Sequence, residues 1–337
     1  MNPAPHHIAV VGATGAVGIE MIKCLEQRDF PLRKLTLLAS ARSAGKQLPF
    51  RGEMITVEEL TTESFADVDI ALFSAGGGIS KTFAPYAVAA GAVVVDNSSA
   101  FRMDEGVPLV VPEINPGDAA EHHGIIANPN CTTIVTLMAL APLHQAFGGV
   151  ECILASSYQA VSGSGAQGIA ELEQQVTAIA SGQTSPAPKV YSRPIAFNVI
   201  PQVDTFLENG YTKEEMKMHF EGQKILHAPE LRASVTCVRV PVYRSHAVAV
   251  TAIFRDEPSV EAARAALSKA PGVRLMDDPT TTPPTYPTPL DATDGDDCLV
   301  GRIRKDLVLD RALTFWVVGD QVRKGAALNA VQIAELL

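Results

Sequence analysis

The stretch Gly12-Ala13-Thr14-Gly15-Ala16-Val17-Gly18 constrains this chain more than any other. Residues 7–11 before it are short, apolar and rich in β-branched side chains, the pattern of a buried parallel strand. Residues 19–28 after it carry helical periodicity. Strand, glycine-rich turn and helix in that order open a nucleotide-binding βαβ unit. Gly12 permits the tight turn, Gly15 lets a pyrophosphate approach the backbone, and Gly18 lets helix and strand pack closely. The helix N-terminus then faces the phosphates, with Ala13, Thr14, Ala16 and Val17 completing the turn.

Residues 34–39 form the second strand. An acid at its end would bind the ribose 2′-hydroxyl of NAD. Ser40-Ala41-Arg42-Ser43-Ala44-Gly45-Lys46 holds no acid and two basic residues. A 2′-phosphate suits that better, so NADP is expected, with Ser40, Arg42 and Ser43 as its ligands. Strands at residues 53–59, 69–73 and 92–95 continue an alternating α/β pattern. Ser74-Ala75-Gly76-Gly77-Gly78 repeats the strand–glycine–helix theme and adds Ser74 and Gly76 to the cofactor's far side. Arg102, after Ser98-Ser99-Ala100-Phe101, is an anion-binding candidate, although local sequence alone reads it as an ordinary surface arginine.

Pro129-Asn130-Cys131-Thr132-Thr133 is the second fixed point. It joins a strand at residues 124–128 to an apolar stretch of helical length at 134–143. Cys131 therefore falls at a strand-to-helix turn, with Asn130 placed to cap the helix. Amides at a helix start favour thiolate over thiol, and the thiolate is the nucleophile. Taken alone, the same residue would read as a buried structural cysteine.

Composition narrows the setting. The chain has 337 residues, 47% hydrophobic and 19% charged, which fits a soluble protein of one large or two medium domains. A net charge of −10 argues against nucleic acid or anionic membrane as partner, while leaving room for a local basic pocket. The five cysteines, Cys24, Cys131, Cys152, Cys237 and Cys298, are odd in number and widely spaced, which argues against a disulfide framework or a structural metal site. Residues 1–7 carry no basic leader, and no apolar run reaches the ~20 residues of a membrane helix. The cytoplasm is the expected compartment.

The pattern changes after the Cys131 helix. Residues 151–158 read as a strand, and Gln159-Ala160-Val161-Ser162-Gly163-Ser164-Gly165 as a turn before another helix. A Ser- and Pro-rich loop covers 181–194. Residues 212–226 look helical, with Thr212 and Glu215 as a capping box. Glu221 and Lys224 share a face of that helix, where a surface ion pair is the commoner outcome. Residues 232–240 and 246–255 are β-rich and suggest a largely antiparallel sheet. A helix at 258–270, a Pro- and Thr-rich connection at 271–289, a hairpin at 298–318 and a closing helix at 325–337 complete the chain.

A Rossmann-type first domain, a thiol at the junction and a second α+β domain suggest aldehyde oxidation through a covalent thioester. Proton transfer needs a further group, and among the eight histidines His246, which follows a β-rich stretch after Arg239, is the best placed.

The assembled residues resemble aspartate-semialdehyde dehydrogenase over essentially the whole chain. The matching pieces are GATGAVG at 12–18, SARSAGK at 40–46, SSAFR at 98–102, NPNCTT at 128–133, YQAVSGSG at 158–165, SVTCVRVPVYRSHA at 234–247, GRIRKD at 301–306 and RKGAALNAVQIAE at 323–335. The resemblance implies reversible, NADPH-dependent reductive dephosphorylation of L-4-aspartyl phosphate to L-aspartate 4-semialdehyde and phosphate, a step feeding lysine, threonine, methionine and diaminopimelate synthesis. It implies Cys131 as nucleophile, His246 as general acid/base and Gln159 as the residue that orients the acyl-enzyme. Arg239 would bind the substrate α-carboxylate and Glu221 its α-amino group, while Arg102, Asn130 and Lys224 would hold the phosphate. Ser162, Gly163 and Asn329 join the cofactor residues on the same ground. The implied architecture is an NADP-binding domain at 1–130, completed by the C-terminal helix at 319–337. A catalytic and dimerisation domain at 131–318 would be of the glyceraldehyde-3-phosphate dehydrogenase C-terminal type, in a homodimer. Two relatives in chemistry are disfavoured. N-acetyl-glutamyl-phosphate reductase has a different cysteine motif, and glyceraldehyde-3-phosphate dehydrogenase would prefer an acid near position 40. A non-catalytic NADP-binding paralogue would lack Cys131 or His246, and both are present. Gly222-Gln223 and Asp320-Gln321-Val322 are the less usual stretches.

Overall fold

The computed structural model describes residues 5–337, so part of the stretch at 1–7 lies outside it. The chain forms two units. One comprises the residues up to Asn130 together with Ala326–Leu337, and the other is Cys131–Gly325. The return to the first unit comes at Ala326, later than residue 319. Residues 320–325 stay with the second unit because Asp320 is tied to Arg244 and to the Asp294 amide.

In the first unit β1 (His6–Val11), α1 (Ala16–Gln27), β2 (Leu32–Ala39), β3 (Gln47–Phe50), β4 (Glu53–Glu59), β5 (Ile70–Phe73), α2 (Gly77–Ala89), β6 (Val93–Asp96) and β7 (Ile125–Ala127) follow in order. They build one sheet in the order β3-β4-β2-β1-β5-β6-β7. All neighbours are parallel except β3, which turns back on β4. Each side of β1 is buried, as a parallel strand requires. Ile8 and Val10 meet Met21, Leu25 and the closing helix Leu328–Ala334 on one face. Ala9 and Val11 meet Phe65, Phe73, Ala84 and Ala87 on the other. The sequence order reverses beside β1, the position where open α/β sheets bind ligands at the carboxyl ends of their strands.

The second unit opens with α3 (Cys131–Ala146), which is apolar nearly all round and buried for most of its length. Then come β8 (Val150–Gln159), α4 (Gly165–Ala180), α5 (Lys213–Ile225), β9 (Arg232–Arg239), β10 (His246–Phe254), α6 (Val260–Leu267), β11 (Val273–Leu275), α7 (Pro289–Ala292), β12 (Cys298–Lys305) and β13 (Ala312–Gly319). The sheet order is β11-β12-β13-β10-β8-β9. The two β-rich stretches expected to suggest an antiparallel sheet do not pair with each other. β8 lies between them, parallel to β9 and antiparallel to β10. Helices α3, α5 and α6 cover one face. On the other, Leu154 and Tyr158 are exposed and Tyr158 meets the Trp316 ring at 5.3 Å. Among the described residues no helix is long and apolar enough to cross a membrane.

Candidate active site

The glycine turn of the first unit is built as its spacing requires. A Cβ on Gly18 would lie 2.2 Å from the Gly12 carbonyl oxygen, so only glycine lets α1 start so close to β1. Gly12 has φ of 85°, and a Cβ there would meet Ser74 and Ala75 at 3.0 Å. Ser74 Oγ donates to the Val11 carbonyl at 3.1 Å, and Thr14 Oγ1 to Ser43 Oγ at 3.4 Å. These bonds draw the ends of β1, β2 and β5 together around one turn. Ser40 and Arg42 follow β2 and are exposed, and a Cβ on Gly76 would meet nothing within 4 Å. Room is thus left above the turn: the Gly12, Ala13 and Gly15 amides are spent on backbone carbonyls, and the N-terminus of α1 supplies the positive end that favours an anion. Within the described residues no group of three or more His, Cys, Asp or Glu side chains could hold a metal ion.

Further along the same sheet edge, Asp96 accepts from Ser80 Oγ at 2.5 Å and Ser98 Oγ at 2.6 Å, which shapes the turn leading to Arg102. Arg102 is buried, contrary to its local reading as a surface residue. Its Nε donates to the Asn128 carbonyl at 2.9 Å and its guanidinium also reaches the Asn97 carbonyl at 3.2 Å. Asn130 is buried at the end of the same segment. Asn329, expected among the cofactor residues, is buried and donates to the Val110 carbonyl at 2.9 Å and to Asn128 Oδ1 at 2.6 Å. It ties the closing helix to the segment that carries Arg102 and Asn130.

In the second unit the register places three of the expected site residues at one end of the sheet. Gln159 ends β8 opposite Arg239 at the end of β9, and His246 begins β10 opposite Gly319 at the end of β13. Cys131 is the first residue of α3, at the positive end of the helix dipole. One turn on, Val135 lies 2.8 Å from where a Cβ of Gly319 would stand, and Cys131 Cβ lies 3.0 Å from that of Gly325. Both glycines let the start of α3 settle onto this end of the sheet.

His246 is fully buried. Its Nδ1 accepts from the Ala160 amide at 3.1 Å, and its Nε2 has no hydrogen-bond partner. Burial first, and the Arg239 charge second, push its pKa down to about 3, with the Glu214 carboxylate opposing. The ring is therefore neutral. Since Nδ1 accepts, the single ring proton is on Nε2. Arg239 is buried too, its Nη1 donating to the Ala160 carbonyl at 2.6 Å, with the Tyr191 ring 5.9 Å below the guanidinium. Ser164, Tyr191, Ser192, Gln202, Asp204 and Arg239 line a recess of about 220 Å³. Gly163 sits directly over both charged and aromatic groups: a Cβ there would be 2.8 Å from Arg239 Nη1 and 3.3 Å from His246 Nε2. Ser162 Oγ accepts from Gln321 Nε2, and Gln321 Oε1 accepts the Ser245 amide at 2.7 Å. The less usual Gln321 thus links the two loops that bracket His246.

The capping box on α5 is present as read, with Thr212 and Glu215 bonded reciprocally. Glu214, Lys217, Glu221 and Lys224 follow one stripe of that helix. Glu221 is buried, so the surface-pair reading of Glu221 and Lys224 gives way to a half-enclosed one. Cys237 is buried, and burial with the Glu214 and Glu215 carboxylates pushes its thiol up to about 12, so it stays protonated. None of the five cysteines is in a disulfide. A separate cavity of about 690 Å³ is lined by His144, Val150, Glu151, Arg232 and Arg255. It lies at the opposite end of β8, roughly 30 Å of strand away from Gln159, and holds none of these groups.

Two family profiles match: a semialdehyde dehydrogenase NAD binding domain over residues 7–122 and a semialdehyde dehydrogenase dimerisation domain over residues 140–324. The aspartate-semialdehyde dehydrogenase of Bacillus subtilis is 51% identical over 340 residues, covering 98% of this chain and 97% of its own. The chain belongs to the aspartate-semialdehyde dehydrogenase family. The crystal structure of aspartate semialdehyde dehydrogenase II from Vibrio cholerae complexed with ASA superposes with a TM-score of 0.96 at 46% identity, over 99% of this chain and 98% of that one. An aspartate semialdehyde dehydrogenase from Candida albicans, solved with NADP, superposes with a TM-score of 0.76 at 25% identity, over 99% and 98%. As an aspartate-semialdehyde dehydrogenase family member, the chain pairs a Rossmann-type nucleotide-binding unit with a mixed α/β dimerisation unit. Two groups in this cluster have no signal in sequence spacing: the Ala160 backbone, which addresses both His246 and Arg239, and Glu214, which bonds Gln159 at 3.0 Å.

Proposed function

We propose that this chain catalyses the reversible, NADP-dependent reductive dephosphorylation of L-4-aspartyl phosphate to L-aspartate 4-semialdehyde and phosphate. The observation that carries the reading is the end of the second sheet. A cysteine at a helix start shares it with Gln159, Arg239 and a buried histidine whose Nε2–H has no partner.

Cys131 attacks the acyl carbon, the C–O bond to phosphate breaks, and a thioester forms. NADP, when bound in its reduced form at the Gly12–Gly18 turn, supplies a hydride for the thioester carbon. The oxygen then becomes an oxyanion, and His246 is set to meet it as a neutral donor through Nε2–H, an electrophilic role. The Ala160 amide holds this tautomer, since a proton on Nδ1 would oppose its own N–H. Expulsion of the thiolate releases the aldehyde. Arg239 offers its remaining N–H groups to the α-carboxylate, and Glu221 a carboxylate to the α-amino group. Arg102, Asn130 and Lys224 are the phosphate ligands in this reading. Positive groups there offset the acidic character of the whole chain.

NADP over NAD follows from the absence of an acid between Ser40 and Lys46 and from the exposed Arg42 fork. A homodimer is supported by the dimerisation-domain match and by the open sheet face around Leu154 and Tyr158. The cytoplasm, reducing enough to keep a nucleophilic thiol in use, is the matching compartment. The role is in lysine, threonine, methionine and diaminopimelate synthesis. The test is nicotinamide reduction with aspartate semialdehyde and phosphate, run beside N-acetylglutamate semialdehyde. Turnover is expected with the first substrate only; turnover with the second alone would replace the proposal.

A further inference from the structure

Gln159 is buried, and its amide has both ends engaged. Ser157 Oγ donates to Oε1 at 3.1 Å, and Nε2 donates to Glu214 Oε1 at 3.0 Å. These two partners do not constrain the amide equally. A hydroxyl donates or accepts, so Ser157 would satisfy the amide in either of its two flipped orientations. A carboxylate only accepts, so Glu214 permits the orientation with nitrogen toward α5 and no other. Glu214 lies in the first turn of α5 with Lys217 Nζ at 2.7 Å, and both surroundings favour a carboxylate there. One N–H of Gln159 is consumed by Glu214; the second is the donor left over at the sheet end that holds Arg239 and His246.

We infer that Glu214 is a positioning residue for the reaction: it fixes the Gln159 amide so that an N–H, and not a carbonyl oxygen, is presented to the acyl group on Cys131. This rests on the reading that Gln159 orients the acyl-enzyme. A flipped amide would set a lone pair against the acyl oxygen and oppose the thioester. Glu214 therefore acts through Gln159 across a sequence separation of 55 residues.

A double-mutant cycle tests this. Glu214→Gln keeps the shape of the side chain but accepts either amide orientation. It is expected to lower kcat/KM for aspartate semialdehyde by roughly five-fold or more, the scale of exchanging a charged for a neutral hydrogen-bond partner. In a Gln159→Ala background the same change should cost less than about two-fold, because the amide it acts through is gone. The exchanged pair, Gln159→Glu with Glu214→Gln, restores a bond between the two positions without restoring the donor, and should be no more active than Gln159→Ala. Glu214→Asp, which keeps the charge and withdraws it by one methylene, gives a second reading if Glu214→Gln melts early. Equal losses in both backgrounds, or recovery of activity in the exchanged pair, would overturn the inference while leaving the site assignment intact. A Gln159→Ala enzyme with full activity would overturn both.

Discussion

Replacing Gly163 by alanine gives the most direct test of how the substrate end of the pocket is built. The position has a backbone conformation open to L-residues, so the change acts through the added methyl alone. That methyl would lie 2.8 Å from Arg239 Nη1, 3.2 Å from His246 Cε1 and 3.3 Å from His246 Nε2. Comfortable contact needs ~3.5 Å or more, so the guanidinium must move by more than half an ångström and the ring by a few tenths. Arg239 has little freedom to do so, because it is buried and its Nη1 is held 2.6 Å from the Ala160 carbonyl. Its grip on a carboxylate is the interaction that gives. A charge-assisted hydrogen bond is worth ~1.5–3 kcal/mol, so KM for aspartate semialdehyde should rise roughly ten- to a hundred-fold. The turnover number should fall less, as the ring needs to shift less. Overpacking typically costs ~1–3 kcal/mol of stability, which a thermal melt will register. Steady-state kinetics with aspartate semialdehyde varied at saturating NADP and phosphate provide the measurement. A folded variant with unchanged semialdehyde KM, or one whose only defect is a raised NADP KM, would refute the placement of Gly163 over Arg239 as the controlling contact.

Cys131→Ala should bind NADP normally and show no turnover, and an electrophilic substrate analogue should label Cys131 alone; label on Cys237, with activity lost, would sink the assignment. His246→Asn should lower kcat by roughly 10²–10⁴ with a smaller change in KM, against a structural histidine's loss of stability with normal turnover per folded molecule. His246 also has a pH signature: its folded pKa of about 3 lies below the ordinary 6.5, so the unfolded chain binds the extra proton between those values and stability drops as pH falls through that window. The wild type should lose up to about 5 kcal/mol more than His246→Asn on going from pH 7 to pH 3, read from urea midpoints, and parallel curves would contradict the burial of a neutral ring. Arg42→Ala should weaken NADP roughly ten- to a hundred-fold and leave NAD nearly unchanged; an equal loss for both removes Arg42 from the site.

The parts legible in the sequence are those set by neighbours along the chain. The glycine turn, the strand-to-helix position of Cys131 and the Thr212–Glu215 capping box all involve contacts within a few residues, which periodicity and spacing record. Two short strands escaped. β3 and β11 are largely outside the core and carry no continuous apolar run, unlike the equally short but buried β5, β6 and β7. The insertion of β8 between β9 and β10 also left no trace, because a strand's residues do not encode which neighbour it pairs with. Arg102 read as a surface arginine because the Asn128 and Asn97 carbonyls that enclose it come from elsewhere on the sheet edge. The tautomer of His246 depends on an amide 86 residues away, and no side-chain pattern reports a backbone donor.

The closing helix has a consequence for biosynthesis. Its Leu328, Val331 and Ile333 share one core with Ile8, Met21 and Leu25, and Asn329 ties it to Val110 and Asn128. A ribosome therefore delivers the first unit's missing wall only after every residue of the second has been synthesised. Cys131–Gly325 is continuous and can close its own sheet while the nucleotide-binding unit is still waiting. During that interval the apolar face of α1 that the closing helix will cover stays open to solvent.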